Sequence, residues 1–446
     1  MVLGTKEICR RVIRNQHKLR HYIQQQIRLC STTSLRTQEA QKQEDDEQPG
    51  FTTIRPDFST VAPKPIEHDP DIGRLFKASE LSVRLASPTQ LQPKPDVDDL
   101  AFGKYFTDHM MKAFYHKSLG GWQKPEITPL ESLVLHPAAK VLHYAVELFE
   151  GMKAYRGVDG RIRIFRPEMN MHRMNVSAKR SGLPTFDGVE FTKCLSRLVS
   201  IDQEWVPHTE AASLYLRPTL IGIDPTLGVA SSDSALLYTI LCPVGEYFKP
   251  GSSGAVSLLA DPRYTRAWPG GVGDRKMGSN YAPTIHVQKE AASKGLQQVL
   301  WLYGEDHQLT EVGTMNIFMF YINDNGEKEL ITPPLNGLIL PGITRDSILS
   351  LARQWGRFKV NEASFTMPQV CQLIKEERLL ELFGTGTACV VSPIERIHYL
   401  GEDILIPTME QSKPVFDEVK KALTDIQYGK MAKELLYSNN SVNRSF

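Results

Sequence analysis

The chain has 446 residues, 41% of them hydrophobic, and 52 basic against 51 acidic side chains leave a formal charge of +1. That length allows two or three domains with a sizeable core, and the balanced charge excludes a general polyanion-binding surface, so no nucleic-acid partner is expected. No apolar run approaches the roughly 18 residues of a membrane span, and the six cysteines form no C-x-x-C pair and the histidines no H-E-x-x-H, which leaves neither a disulfide frame nor a metal site.

Residues 1–37 carry Lys6, Arg10, Arg11, Arg14, Lys18, Arg20, Arg28 and Arg36 against a single acid, Glu7. Ile8, Val12, Leu19, Ile23 and Ile27 make one apolar helical stripe, followed by Ser31, Thr32, Thr33 and Ser34. A basic, amphipathic, acid-poor start predicts a mitochondrial transit peptide and a matrix location, with a disordered basic arm as the alternative. Residues 38–97, acidic at first and then dotted with proline, read as disordered or loop-rich.

A small α/β domain is expected over 98–247. Met152 to Arg156 and Arg161 to Phe165 read as strands joined at Asp159-Gly160, and Arg166-Pro167 opens a helix. Phe191, Leu195 and Leu198 mark a second helix. Ser213 to Gly222 alternates as a strand with Tyr215, Arg217 and Thr219 on one face, and Pro218 argues for an edge or a bulge. Leu236 to Cys242 reads as a buried strand. Residues 248–254 form the interdomain linker. A large α/β domain follows over 255–446, with strands at Ala255 to Ala260, Gln298 to Tyr303 and Asn316 to Ile322. Helices are expected over Pro283 to Lys294 and Arg345 to Trp355. The fold class is therefore mixed α/β, of the α/β or α+β kind, in two domains.

The densest signal is Gly270-Gly271-Val272-Gly273-Asp274-Arg275-Lys276-Met277-Gly278-Ser279-Asn280-Tyr281. Glycine lets backbone crowd a bulky ligand, and a lysine sheltered there can act as an amine nucleophile toward carbonyls, pyridoxal phosphate included. A solvated surface turn is the plain alternative. A nucleotide phosphate loop fits poorly, because Met277 stands where Ser or Thr should follow the lysine.

A bound pyridoxal phosphate needs an amine, a phosphate cradle, a carboxylate at the ring nitrogen and a donor at the ring oxygen. Pro341-Gly342-Ile343-Thr344 leads into a helix whose free amides suit a phosphate. Gly384-Thr385-Gly386-Thr387-Ala388 is a second small-residue loop, placed after a helix-like segment. Arg173 can supply a cation, and Glu311 enters an apolar strand where only a cation would offset its burial. Each of these also has an ordinary structural reading.

Taken in order, these segments resemble the branched-chain amino-acid aminotransferases of the fold-type IV pyridoxal-phosphate enzymes. Phe102-Gly103-Lys104 with Phe106 to Met110, Leu148 to Lys153, Leu216-Arg217-Pro218, Gly270 to Tyr281, Leu309 to Asn316, Leu340-Pro341-Gly342, Gly384 to Ala388 and Ile426-Gln427-Tyr428-Gly429 carry the likeness. It covers the chain from about residue 98 to 435.

The resemblance implies roles. Lys276 is the Schiff-base lysine and the proton carrier, Glu311 the ring-nitrogen partner, and Tyr281 the donor to the ring oxygen. Arg173, Ile343, Thr344 and Thr387 hold the phosphate, while Thr314 and the Ala388 amide meet the substrate carboxylate. Phe102, Phe149 and Tyr215 line an apolar side-chain pocket. Arg217 receives the distal carboxylate of glutamate, and Tyr144 and Val229 reach in from the second subunit of a homodimer. The implied reaction is ping-pong transfer of the amino group of L-leucine, L-isoleucine or L-valine to 2-oxoglutarate, at a site between domains and subunits. A D-amino-acid aminotransferase or an aminodeoxychorismate lyase is the nearest rival, and a phosphate-loop nucleotide binder a distant one. Some relatives carry C-x-x-C where this chain has Cys389-Val390-Val391-Ser392, so a disulfide switch is not expected there.

Overall fold

The structure, a computed structural model, describes residues 70–245 and 254–430. The expected transit peptide, residues 38–69 of the loop-rich stretch and residues 248–253 of the linker lie outside the described residues.

The first sheet comprises β1 (Ser82–Val83), β2 (His109–His116), β3 (Gly121–Trp122), β4 (Glu126–Pro129), β5 (Glu147–Phe149), β6 (Met152–Arg156), β7 (Ile162–Ile164), β8 (Ser213–Gly222) and β9 (Ser234–Val244). Its order is β1-β4-β2-β9-β8-β6-β7, with β3 on β2 and β5 on β8. All pairs are antiparallel except β1 with β4. Side chains alternate between faces along each strand. Leu148, Met152, Ala154, Leu214 and Leu216 point to one face and join a core with Met174, Phe191, Leu195 and Leu198. Those last four belong to the helices Pro167–Arg180 and Gly188–Ile201. The second helix starts where the Asp187 carboxylate accepts from the amides of Val189 and Glu190.

Residues 70–97 hold only short 3-10 turns and β1, yet Phe76 is buried and meets Trp122 edge-on at 5.6 Å. This stretch therefore adds to the first core.

Pro218 lies in no edge strand and at no bulge. β8 is paired along its length with β9, and on its other side with β5 and β6. The missing N–H is tolerated because that second side is interrupted: Phe149 pairs with Thr219 and Met152 with Leu216, while Glu150 and Gly151 turn aside. Only the Pro218 carbonyl is engaged there, by the Glu150 amide at 2.8 Å.

The second sheet comprises β10 (Val256–Ala260), β11 (Gln298–Tyr303), β12 (Gln308–Val312), β13 (Met315–Ile322), β14 (Lys328–Thr332), β15 (Lys359–Glu362), β16 (Leu379–Gly386), β17 (Val390–Tyr399) and β18 (Glu402–Leu405). β12 pairs with both β11 and β13, which closes β12-β11-β10-β17-β16-β13 into a ring. The expected loop at Gly384 to Ala388 is in part strand: Gly384, Thr385 and Gly386 end β16, and only Thr387 to Cys389 turn into β17. The run Leu379 to Phe383, apolar but for Glu381, suits a helix or a buried strand equally, and pairing with β13 decides it.

A third core joins the two sheets. Tyr155 and Phe165 pack with Phe318, Phe383, Val419, Leu423 and Tyr428. Tyr428 follows the helix Val415–Gln427, stacks edge-on against Tyr155 at 5.1 Å, and donates its hydroxyl to the Ala212 carbonyl at 2.9 Å. The Ile426 to Gly429 motif thus ties the end of the second half to the first. Among the described residues no helix is long and apolar enough to cross a membrane.

Candidate active site

With the even-numbered residues of β6 and β8 turned to the helices, the odd ones face the other way. Phe149, Gly151, Lys153, Tyr215 and Arg217 therefore share the face of the first sheet opposite its core. Two glycines make close packing possible here. A Cβ on Gly151 would lie 1.9 Å from the Tyr215 hydroxyl, and one on Gly278 would lie 1.6 Å from a Glu147 carboxylate oxygen.

Lys276 enters this face on an extended segment. Its carbonyl accepts from the Phe149 amide at 3.1 Å, its amide donates to Ser177 Oγ at 3.2 Å, and Met277 bridges to Leu148. The amine donates to the Tyr281 hydroxyl at 3.2 Å and sits 4.8 Å from the centre of the Phe149 ring. The Phe149 and Tyr281 rings are 4.9 Å apart. Lys276, Tyr281 and Phe149 are thus one cluster.

Glu311 lies on β12 and is buried. One carboxylate oxygen accepts from the Leu340 amide at 2.7 Å, and the other lies 3.1 Å from Arg266 Nε. Burial pushes the carboxyl above its ordinary range, against the pull of Arg266, the Leu340 amide, Lys276 and Arg173. The surrounding cations do not outweigh the burial, so another cation beside this carboxylate would stabilise it. Nothing in the sequence pattern pointed to Arg266.

Arg173 is not a free cation. Its Nε and Nη2 bond both oxygens of the fully buried Glu150 at 2.7 and 2.8 Å, and Nη1 donates to the Pro341 carbonyl at 2.9 Å. Burial pushes Glu150 up, yet Arg173 and the amide of Asn170 overcome it and leave the carboxyl below its usual range. The pair fixes the helix Pro167–Arg180 to the segment entering the helix Ile343–Trp355, which begins two residues before the expected Arg345. Gly342 precedes that helix because a Cβ there would lie 2.0 Å from Asn316 Oδ1. Ile343, Thr344 and Thr387 line one small cleft with Gly151, Lys153 and Asn170. Glu150 sits inside a segment noted in the sequence, but its task as the arginine's counter-charge was not legible there.

Arg217 Nη2 donates to the Tyr215 hydroxyl at 3.1 Å, and its guanidinium lies 4.7 Å from the Phe149 ring centre. Its Nε is buried with no hydrogen-bond partner among the described residues. Phe102 meets Tyr215 edge-on at 4.9 Å. Thr314 is exposed in the turn between β12 and β13, with its carbonyl beside Gly386. The Ala388 carbonyl accepts from Lys153 at 2.8 Å. Tyr144 and Val229 lie apart: both are exposed, and no hydrogen bond or ring contact among the described residues joins them to the Lys276 cluster. Tyr144 instead donates to the Leu227 carbonyl.

Comparison with known proteins gives the family and the fold. Residues 147–397 match the model of the amino-transferase class IV family. The cytosolic branched-chain-amino-acid aminotransferase of Mus musculus is 54% identical over 361 residues, covering 81% of this chain and 93% of that protein. The mitochondrial enzyme of the same animal is 50% identical over 366 residues, covering 82% and 93%. Among solved structures, a branched-chain aminotransferase from Thermoproteus uzoniensis with norvaline superposes with a TM-score of 0.57 at 25% identity, covering 69% of this chain and 94% of that one. The Escherichia coli enzyme has the same fold, with a TM-score of 0.55 at 24% identity over 72% of this chain and 94% of its own. With half of its residues unchanged from both animal enzymes over four fifths of its length, the chain belongs to the branched-chain-amino-acid aminotransferases of the class IV family.

Proposed function

We propose that this cleft holds pyridoxal 5'-phosphate and moves the amino group of L-leucine, L-isoleucine or L-valine onto 2-oxoglutarate. The observation that carries the reading is the Lys276 amine, which has no carboxylate partner among the described residues and lies against Tyr281 and Phe149. The residues suit the cofactor. Glu311 is a buried carboxylate whose burial a pyridinium would offset. The N-terminus of the helix Ile343–Trp355 offers amides to a phosphate, beside Thr344, Thr387 and Arg173.

When bound, the cofactor supplies an aldehyde for amines and a ring that withdraws electrons. Lys276 would hold the cofactor's aldehyde, and its amine would carry the substrate's α-proton. The Tyr281 hydroxyl, which already accepts from the Lys276 amine, would hold the ring oxygen. Glu311, itself oriented by Arg266 and the Leu340 amide, would keep the ring nitrogen protonated. Phe149, Tyr215 and Phe102 give an apolar wall for a branched side chain. Such a wall separates side chains differing by one methylene by only about 1–3 kcal/mol, so all three branched amino acids are accepted. Arg217 on that wall meets the distal carboxylate of glutamate.

Amino-donor assays with the purified enzyme test this reading: L-leucine should be used and D-alanine should not, and use of D-alanine alone would overturn it. In the same assay, Arg217→Ala should lower kcat/KM for L-glutamate by about 30-fold, the order of a charged hydrogen bond, and for L-leucine by no more than about threefold. Equal losses for both donors would remove Arg217 from the role of carboxylate partner.

Two finer features belong to the same proposal. The enzyme works as a homodimer in which Tyr144 and Val229, exposed in the single chain, complete the partner's pocket. Sedimentation at the mass of one chain would refute this. Residues 1–37 direct the chain to the mitochondrial matrix, although cytosolic and mitochondrial relatives are about equally similar. A fluorescent protein fused behind these residues should enter mitochondria, and a diffuse cytosolic signal would refute the targeting.

A further inference from the structure

Lys140 has almost no access to water, although it opens the five-residue helix Lys140–Tyr144, whose Leu142 and Tyr144 are exposed. Ala139 just before it bridges to Pro225, which sets this helix beside residues 224–231. The Lys140 amine donates to the carbonyls of Ser231 at 2.7 Å and Ala230 at 3.1 Å. It also lies 3.4 Å from Asp224 Oδ2, which accepts from the Asp233 amide at 2.9 Å. Two carbonyls and a carboxylate thus surround one ammonium. A buried ammonium is kept only where such partners offset its lost hydration.

The far end of the helix is tied to the same loop. The Tyr144 hydroxyl donates to the Leu227 carbonyl, and Ala145 ends the helix in the left-handed region at a φ of 48°. A non-glycine residue holds that conformation only where its surroundings over-determine it. Lys140 and Tyr144 therefore lace one short helix to one loop at two points. The laced segments carry four exposed large apolar side chains, Leu142, Tyr144, Leu227 and Val229, the last 84% open. Apolar surface gathered on so firmly tied a corner is shaped for a contact. Without the Lys140 tie, residues 228–231 would sample many conformations, and ordering them at each contact would cost entropy.

We propose that Lys140 is a positioning residue that acts in trans: by holding residues 224–231 to the helix Lys140–Tyr144, it presents Val229 and Tyr144 to the side-chain pocket of a second copy of the chain. The proposal rests on the homodimeric aminotransferase reading above.

Mixed dimers test it, assembled as holoenzyme from two differently tagged chains, one of them carrying Lys276→Ala so that only the other turns over. Lys140→Met keeps the apolar stem and removes the donor. Placed on the Lys276→Ala chain, it should raise KM for L-leucine in the intact subunit by about fivefold or more, the order of one fixing hydrogen bond, with kcat within about twofold. Placed instead on the chain that turns over, it should leave KM within about twofold of the mixed dimer with Lys140 in both chains. An equal rise in both arrangements would mean damage within the variant's own subunit and would overturn the proposal, as would no rise in either. Should the Met variant not fold or not pair, Asp224→Asn, which removes the counter-charge and keeps an acceptor for Asp233, is read by the same criteria. A chain that sediments as a monomer or does not use leucine is a separate result: it removes the functional reading, and this proposal with it.

Discussion

Replacing Lys276 with alanine is expected to lower kcat for transfer from leucine to 2-oxoglutarate by at least about 10⁴-fold, because in the proposed function this one side chain supplies both the nucleophile and the proton carrier. The loss should be chemical and not structural. What Lys276 contributes to the fold comes from its backbone: the carbonyl that accepts from Phe149 and the amide that donates to Ser177. Alanine keeps both. The side chain is only partly buried and gives up one hydrogen bond to Tyr281, so the melting temperature should stay within a few degrees. Two measurements decide it. Turnover above about 1% of the unaltered enzyme would show that the amine is dispensable. Borohydride treatment of the native holoenzyme followed by peptide mapping should tag residue 276, and a tag elsewhere would move the centre of the site.

Much of this site was legible in the chain because its parts are local. Lys276 and Tyr281 stand in one glycine-rich run, and the Tyr215 and Arg217 pair follows from period-2 alternation on a strand whose bounds the pattern marked correctly. What stayed hidden was long-range. The Arg266–Glu311 and Glu150–Arg173 pairs join residues from different elements, and charged residues in a linear pattern do not announce their partners. Lys153 and the Ala388 carbonyl meet across two sheets that the third core packs together. The same cause explains Pro218. A proline reads as an edge from local propensity, but here it fills the gap left where the pairing breaks at Glu150 and Gly151, the Glu150 side chain turning to Arg173. The strand at Gly384 to Gly386 was likewise settled by its neighbours β13 and β17.

Glu311→Gln should damage the enzyme in two separable ways. In the proposed function the chemical effect is loss of a negative charge beside the ring nitrogen, which would no longer stay protonated; the rate should fall by about 10³-fold, the scale of one proton placed correctly. The structural effect arises on the other side of the carboxylate. Arg266 is almost fully buried, and its remaining contacts are long hydrogen bonds of 3.3–3.4 Å to the carbonyls of Gly273 and Leu338. Breaking a buried ion pair by removing one member typically costs about 3–5 kcal/mol, because the other charge is left uncompensated. Gln retains an acceptor for the Leu340 amide, so that bond should survive and the loss should sit near the lower end. The two effects part company in the double variant Glu311→Gln with Arg266→Met. Removing both charges should restore most of the melting temperature, since a buried pair replaced by apolar volume is often neutral in stability. It should restore none of the rate, because no carboxylate faces the ring. Thermal melts and turnover of the two variants therefore test one residue's two tasks independently. Recovery of activity along with stability would mean that Glu311 serves only to neutralise Arg266.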